Sequence, residues 1–136
     1  HIVPYLSEYM GKVFEDICKQ YLWKLLLAGE CLIEFTSLSR WWGNNSKKKC
    51  EIEIDMLAGH DKNTALFGEC KWTSEKVDIG VLDTLIERSE LFSYKNVHYY
   101  LFSKSGYTKA CHDKAIEMGN VTLVTFEDIM RIINID

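Results

Sequence analysis

CEIEIDMLAGHDKNTALFGECKW, residues 50–72, contains two strand-like runs around a turn. In the first run Glu51, Glu53 and Asp55 alternate with Ile52, Ile54 and Met56, a period of two that predicts the acids on one side of a strand. In the second, Ala65, Phe67, Glu69 and Lys71 share one side, and Leu66, Gly68, Cys70 and Trp72 the other. Gly59-His60-Asp61-Lys62-Asn63 between them is turn chemistry. Closing the runs into an antiparallel hairpin brings Asp55 opposite Glu69, with Lys71 beside it.

Two carboxylates and an ammonium converging on a sheet face cost free energy in lost hydration and in repulsion between the acids unless they have a task. The set suits a metal-dependent phosphodiesterase: acids hold a hard divalent cation, and a lysine stands near the attacking water or the scissile phosphate. Ordinary alternatives exist for each residue. Asp55 fits a solvent-facing strand end, and Glu69 with Lys71 fits a same-face ion pair of small energetic weight. The apolar neighbours Leu66, Phe67, Cys70 and Trp72 favour ligation for Glu69. Glu53 reads best as an edge-strand charge that discourages aggregation. Glu15 is placed either for such a site or for an i, i+4 pair with Lys19. Arg40-Trp41-Trp42 reads first as cover for a sheet end and second as a phosphate and base contact, and Lys47-Lys48-Lys49 as a solvated loop.

Outward from the hairpin, Met10, Val13, Phe14, Ile17, Tyr21 and Leu25 recur at helical spacing from Ser7 to about Ala28, and Gly29 is a stop. Cys31 to Trp42 is expected to hold a first strand, and Gly43 to Lys49 a loop. Asp78 caps a second helix whose face is Leu82, Leu85, Ile86, Ser89 and Phe92. Val97 to Ser103 (VHYYLFS) suits a central strand buried on both faces. Thr108 to Met118 reads as a helix ended by Gly119, Val121 to Val124 as another buried strand, and Thr125 with Asp128 as the cap of a last helix through Ile133. The order α-β-β-β-α-β-α-β-α implies an α/β fold, a hairpin followed by βαβ crossovers, hence a mixed sheet with helices on both faces.

A chain of 136 residues fits a single domain with one well-buried core. Its longest apolar run, Leu22 to Ala28, is interrupted by Lys24 and falls far short of the roughly 20 residues of a membrane span. Five scattered cysteines without a CxxC pair suggest mostly buried thiols in a reducing cytoplasm, and His60, His98 and His112 lack zinc-ligand spacing to them. The net charge of −4 argues against a stand-alone, strongly basic nucleic-acid binder, though not against a nuclease whose metal-binding acids are negative before the cation arrives. The chain opens His1-Ile2-Val3-Pro4 without an initiating methionine, which fits a piece of something longer.

Ile54-Asp55, a gap, then Glu69-Cys70-Lys71 resembles the PD-(D/E)xK signature of the restriction-endonuclease-like superfamily, with Ile54 where the signature often has proline. Glu15 in GKVFEDIC is similar to the superfamily's upstream helical acid, and LFSKSGYTKAC resembles a strand-to-helix passage of its resolvase-like and Mrr-like members. More narrowly, GKVFEDIC, SRWWG, EIDMLAG and GECKW, in that order, resemble the nuclease-like domain that follows the ATPase in archaeal-type AAA+ ATPases. The resemblance covers Gly11 to about Ile129. It implies a three-layer α/β/α restriction-endonuclease-like fold with a mixed central sheet, and residues 1–136 as one domain at the C-terminal end of a longer ATPase chain. It implies DNA as the substrate, Mg²⁺ or Mn²⁺ as the cofactor, and Asp55, Glu69, Lys71 and Glu15 as catalytic residues. The metal would be held by Asp55, Glu69, the backbone carbonyl of Cys70, and Glu15 through water. The upstream ATPase module would be the partner, assembly as a homodimer is left open, and no membrane is involved. The alternative from another class is a catalytically idle fold of nuclease descent that serves the ATPase as a binding or oligomerisation module.

Overall fold

The computed structural model describes residues 2–133; His1 and residues 134–136 lie outside the described residues. Helix α1 spans Ile2–Leu27, followed by strands β1 (Ser39–Asn45), β2 (Cys50–Asp61) and β3 (Thr64–Lys71). Then come α2 (Ile79–Ser89), β4 (Asn96–Ser103), α3 (Lys109–Met118), β5 (Val121–Thr125) and α4 (Phe126–Ile133). The expected element order holds. The five strands lie side by side in sequence order, β1–β2 and β2–β3 antiparallel, β3–β4 and β4–β5 parallel, which makes the sheet mixed.

Two apolar layers sandwich this sheet. On one face Phe14, Cys18, Leu22 and Leu25 of α1 and Ile129 of α4 pack on Met56, Ala58, Leu66, Tyr100 and Phe102. On the other, Leu82 and Leu85 of α2 and Cys111 of α3 pack on Ile54, Ala65, Phe67, Tyr99 and Leu101. Consecutive residues of β4 therefore feed opposite layers, which is why VHYYLFS is apolar without alternation. The architecture is the three-layer α/β/α arrangement that the sequence implied. Phe14, Trp72 and Phe126 bring α1, the end of β3 and α4 together, with ring centroids 5.0 to 6.1 Å apart.

The helix ends follow local chemistry. Asp78 caps α2 through its own side chain, and Thr108 Oγ1 accepts the Cys111 amide at 3.3 Å to open α3. Gly119 ends α3 at φ 77°, a left-handed conformation that glycine adopts without a Cβ penalty. At α4 the Asp128 carboxylate accepts the Thr125 amide at 2.9 Å, and the Thr125 hydroxyl accepts the Asp128 amide at 3.1 Å, a reciprocal cap.

Three strand boundaries and two burial patterns differ from the sequence expectation. The stripe of α1 is rotated: Cys18 and Leu22 are buried, while Met10, Val13 and Ile17 are half-buried. The first strand starts only at Ser39, because Phe35 in the preceding irregular segment anchors to Trp23 at 4.7 Å rather than joining the sheet. That strand continues through Asn45, whose side-chain oxygen accepts the amides of Lys47 and Lys48, so the loop shrinks to a tight turn. Strand β2 runs on to Asp61, leaving Lys62-Asn63 as the turn; Asp61 Oδ1 accepts the Asn63 amide at 2.7 Å. Strand β5 lies at the sheet edge and buries only Val124, so it is not the fully buried strand expected. Cys18 and Cys111 are buried and Cys50 is exposed, and all five thiols are free.

The Tyr107 hydroxyl lies 2.6 Å from the carbonyls of both Leu101 and Val124, sharing one proton between β4 and β5 at a buried position. Tyr107→Phe keeps the ring and removes only that link. It is expected to cost about 1 kcal/mol in urea unfolding, as for a typical hydrogen bond; no loss of stability would mean the hydroxyl does not tie the strands.

Candidate functional site

The alternation in β2 breaks at Asp55. Ile54 packs in the α2/α3 layer and Met56 in the α1/α4 layer, although they are two residues apart and an unbroken strand would put them on one face. The register explains the switch: Ser39 pairs with Leu57 but Trp41 pairs with Ile54, so Arg40 alone faces Asp55 and Met56. This is a β-bulge, which re-aims a side chain and bends its strand. Glu51, Glu53 and Asp55 still line one cavity, as their spacing predicts; what the bulge corrects is the opposite face, because Met56 no longer shares a layer with Ile54.

On its other side β2 ends its pairing with β3 at Met56 and Gly68. One rung further, Asp55 Oδ2 accepts the amide of Cys70 at 2.9 Å. The carboxylate thus satisfies a backbone donor that the parting strands would otherwise leave open. Glu69, one residue back from Cys70, lies across from Asp55 as the hairpin reading required. Both acids are buried, 8% and 7% exposed, so their charge is set by each other and by their neighbours rather than by water.

The two carboxyls open into a cavity of about 520 Å³. Helix α1 contributes Glu8, Gly11, Lys12 and Glu15, positions spaced three and four apart and hence on one helix face. Lys71 also lines it, as do Arg40 from β1 and Arg88 from α2. All four sequence-selected side chains, Glu15, Asp55, Glu69 and Lys71, therefore reach one cavity, and Cys70 is part of its wall. Glu15 pairs with Arg40 at 3.1 Å rather than serving only its helical neighbour Lys19.

The arginines are what sequence reasoning missed. The sequence suggests sheet cover or a phosphate contact for the Arg40 segment and not a pairing with acids, and Arg88 carries no local signal at all, because only the packing of α2 on the hairpin brings it in. Arg88 Nη1 donates to the Glu53 carbonyl at 2.6 Å and lies 3.7 Å from Glu69 Oε2. Arg40 Nη2 stands 3.4 Å from Glu53 and 3.6 Å from Asp55, besides Glu15. Trp41 packs on Phe92 at 4.9 Å, the sheet-covering role expected of it, whereas Trp42 is exposed. Lys48 pairs with Glu87 of α2.

Burial pushes the Glu69 carboxyl up to about 9, helped by its hydrogen bond to Asp55 and by that residue's charge, while Lys71 and Arg88 pull the other way. Glu15 is raised to about 7 by burial, then by the charge of Asp55 and a hydrogen bond to it, against Arg40 and Lys19. Burial would raise Asp55 too, yet hydrogen bonds from Glu69, the Cys70 amide and Glu15, with the charge of Arg40, hold it below the ordinary carboxylate value. Near neutrality Asp55 is ionised, Glu69 retains its proton, and Glu15 is close to the midpoint of its own titration. Among the described residues no three His, Cys, Asp or Glu side chains form a ready-made metal ligand set.

Fold and cavity together define an α/β domain with converging carboxyls where two strands of a mixed sheet part. Residues 1–81 match the family model DUF234, described as archaea bacterial proteins of unknown function, and the chain belongs to that family. An uncharacterized protein of Methanocaldococcus jannaschii, MJECL04, is 34% identical over 71 residues, 52% of this chain. The chain spans about 15% of the length of that curated relative. Among solved structures, the protein of unknown function AF1548 is 16% identical with a TM-score of 0.48, covering 82% of this chain and 64% of its own. The DNA modification-dependent restriction endonuclease AspBHI is 17% identical with a TM-score of 0.49, covering 93% of this chain and 34% of its own. No helix among the described residues is long and apolar enough to cross a membrane.

The raised carboxyl gives a signed pH dependence. Glu69 binds its proton more tightly folded than unfolded, so the native state holds the extra proton between its ordinary and raised values. Stability of the metal-free protein should therefore fall as pH rises from about 5 to about 9. Glu69→Gln imitates the protonated acid and should flatten that slope in urea titrations with chelator present. An unchanged slope in Glu69→Gln would remove Glu69 as its source.

Proposed function

We propose that this chain is a divalent-metal-dependent nuclease-type domain that hydrolyses DNA phosphodiester bonds, carried on an AAA+ ATPase. The observation that carries the reading is the pair Asp55 and Glu69, buried carboxyls meeting at a bulge and opening into a polar cavity. Their donor chemistry fits a hard cation: Glu69 holds a proton because it is buried and because it bonds to and is repelled by Asp55, and a divalent ion between the two oxygens would take that proton's place. Asp55 and Glu69 would hold Mg²⁺ or Mn²⁺, with Glu15 bonded through water. Cys70 adds its carbonyl, which leaves an extended strand on the same side as the amide already facing Asp55. When bound, the ion supplies polarisation of the phosphate and a water of lowered pKa.

The rest belongs to the protein. Lys71 lies two residues after Glu69, so both leave β3 on one side, and its longer stem carries an ammonium toward the phosphate oxygens or the attacking water. Arg88 and Lys12 add positive charge on the cavity wall. The ATPase attachment rests on the order of GKVFEDIC, SRWWG, EIDMLAG and GECKW, and such a module would supply DNA binding that a chain of net charge −4 lacks. A second reading, a catalytically idle binding or oligomerisation module of that ATPase, is favoured by one observation. Arg40 already places a cation within 3.1 to 3.6 Å of Glu15, Glu53 and Asp55 without any metal.

Cleavage assays decide between them. On linear, branched and single-stranded DNA with Mn²⁺, Lys71→Ala should lose about 100-fold or more in rate while keeping its fold and most metal binding. A structural ion pair instead predicts little kinetic change and a stability loss of at most about 1 kcal/mol. Absence of cleavage by the wild type on every substrate would select the idle module. In thermal melts, millimolar-range Mn²⁺ should stabilise the wild type modestly and Asp55→Asn not at all, since a ligand of the folded state alone stabilises it by mass action.

A further inference from the structure

Arg40 sits at the one point of β1 that faces the bulge, and its Nη2 lies 3.1, 3.4 and 3.6 Å from Glu15, Glu53 and Asp55. One nitrogen of one guanidinium therefore meets three carboxylates from two different elements, α1 and β2. Two of the three, Glu15 and Asp55, are residues assigned above to the metal. Arg40 is nevertheless 43% exposed at its side chain, with water on one flank, and it is not locked in the core. A planar, permanently charged group with a long stem can leave such a site when a stronger cation enters.

We propose that Arg40 is the resident counter-cation of the acidic cavity, competing with the divalent ion and released toward the substrate phosphate when that ion binds; this rests on the metal site proposed above. The geometry supplies both halves of the exchange. The Asp55 oxygen that faces Arg40 is Oδ1, while Oδ2 accepts the Cys70 amide, so an entering ion and Arg40 contend for the same oxygen. Arg40 also lines the cavity into which a phosphodiester would come, so a guanidinium displaced from the acids remains in reach of it. The pairing explains how the acids are tolerated before metal arrives: removing the guanidinium leaves them to repel one another. Glu53 is then the retaining anchor, an acid outside the metal set that keeps Arg40 nearby after it lets go of Asp55.

The test is Mn²⁺ binding by the full-length protein, measured calorimetrically, counting as the site's own the heat that Asp55→Asn abolishes. Arg40→Gln should bind Mn²⁺ about tenfold more tightly, a coupling of ordinary size, and should melt at a lower temperature than wild type in chelator. Arg40→Lys keeps the charge and should stay close to wild type in affinity. Unchanged or weaker Mn²⁺ binding by Arg40→Gln, with the wild type binding normally, overturns the competition alone and leaves Arg40 a structural ion pair. No Asp55-dependent heat in wild type or Arg40→Gln overturns the metal site and this inference with it. Should Arg40→Gln not fold, nitrogen-15 spectra of the wild type decide: the Arg40 Nε–H resonance should shift as Mg²⁺ saturates the site, and a resonance that stays in place contradicts release.

Discussion

Asp55 Oδ2 accepts the amide of Cys70 at 2.9 Å at the rung where β2 and β3 stop pairing through their backbones. That single bond lets the hairpin open without leaving a buried donor unpaired, and it fixes one oxygen of a carboxylate that is almost shielded from water. The bulge facing Arg40 makes it geometrically available, because a regular strand would continue the ladder. Strands β1 and β2 remain paired on both sides of the irregularity, so its position is set by the register rather than by a flexible loop. A carboxyl fixed in this way can hold a partner charge in a defined place.

The cavity that results is negative in composition yet close to balanced in practice. Glu69 keeps a proton by burial and by the hydrogen bond and charge of Asp55, Glu15 is raised to about 7 for similar reasons, Arg40 stands beside the ionised Asp55, and Arg88 lies near Glu69. Protons and guanidinium groups thus perform, in the metal-free protein, the neutralisation that a divalent ion would perform on the proposed reading. This also accounts for two buried acids in a small domain whose other buried polar residues, among those described, are Asn45, Ser89, His98 and Ser103. The sheet supplies Asp55, Glu69 and Lys71 on neighbouring strands, and one face of α1 supplies Glu15, so rigid elements rather than loops hold the side chains.

Much of this was legible in the sequence. The hairpin, the helix caps at Asp78 and Thr125, the helix from Thr108 with its stop at Gly119 and the central strand at Val97–Ser103 each rest on short-range chemistry, and each is present. So is the meeting of Asp55 with Glu69, because antiparallel pairing with a known turn region leaves few registers. The strand before the hairpin was misplaced, since Phe35 is apolar for the sake of a helix contact and not of the sheet. The bulge was invisible, because Ile54, Asp55 and Met56 fit unbroken alternation perfectly well. Only the packing of Ile54 and Met56 in opposite layers reveals it. The arginines were hidden for a related reason: Arg40 and Arg88 are 15 and 19 residues from the acids they meet, and tertiary packing alone joins them.

The central claim is that the carboxyls of Asp55 and Glu69 form one cation site. Crystals soaked in Mn²⁺ and measured for anomalous scattering test it directly. The account predicts a single strong peak in the cavity, bonded to Asp55 and Glu69, with Arg40 turned away from Asp55. Equivalent soaks that saturate other surface carboxylates but leave no peak between these two residues would contradict it.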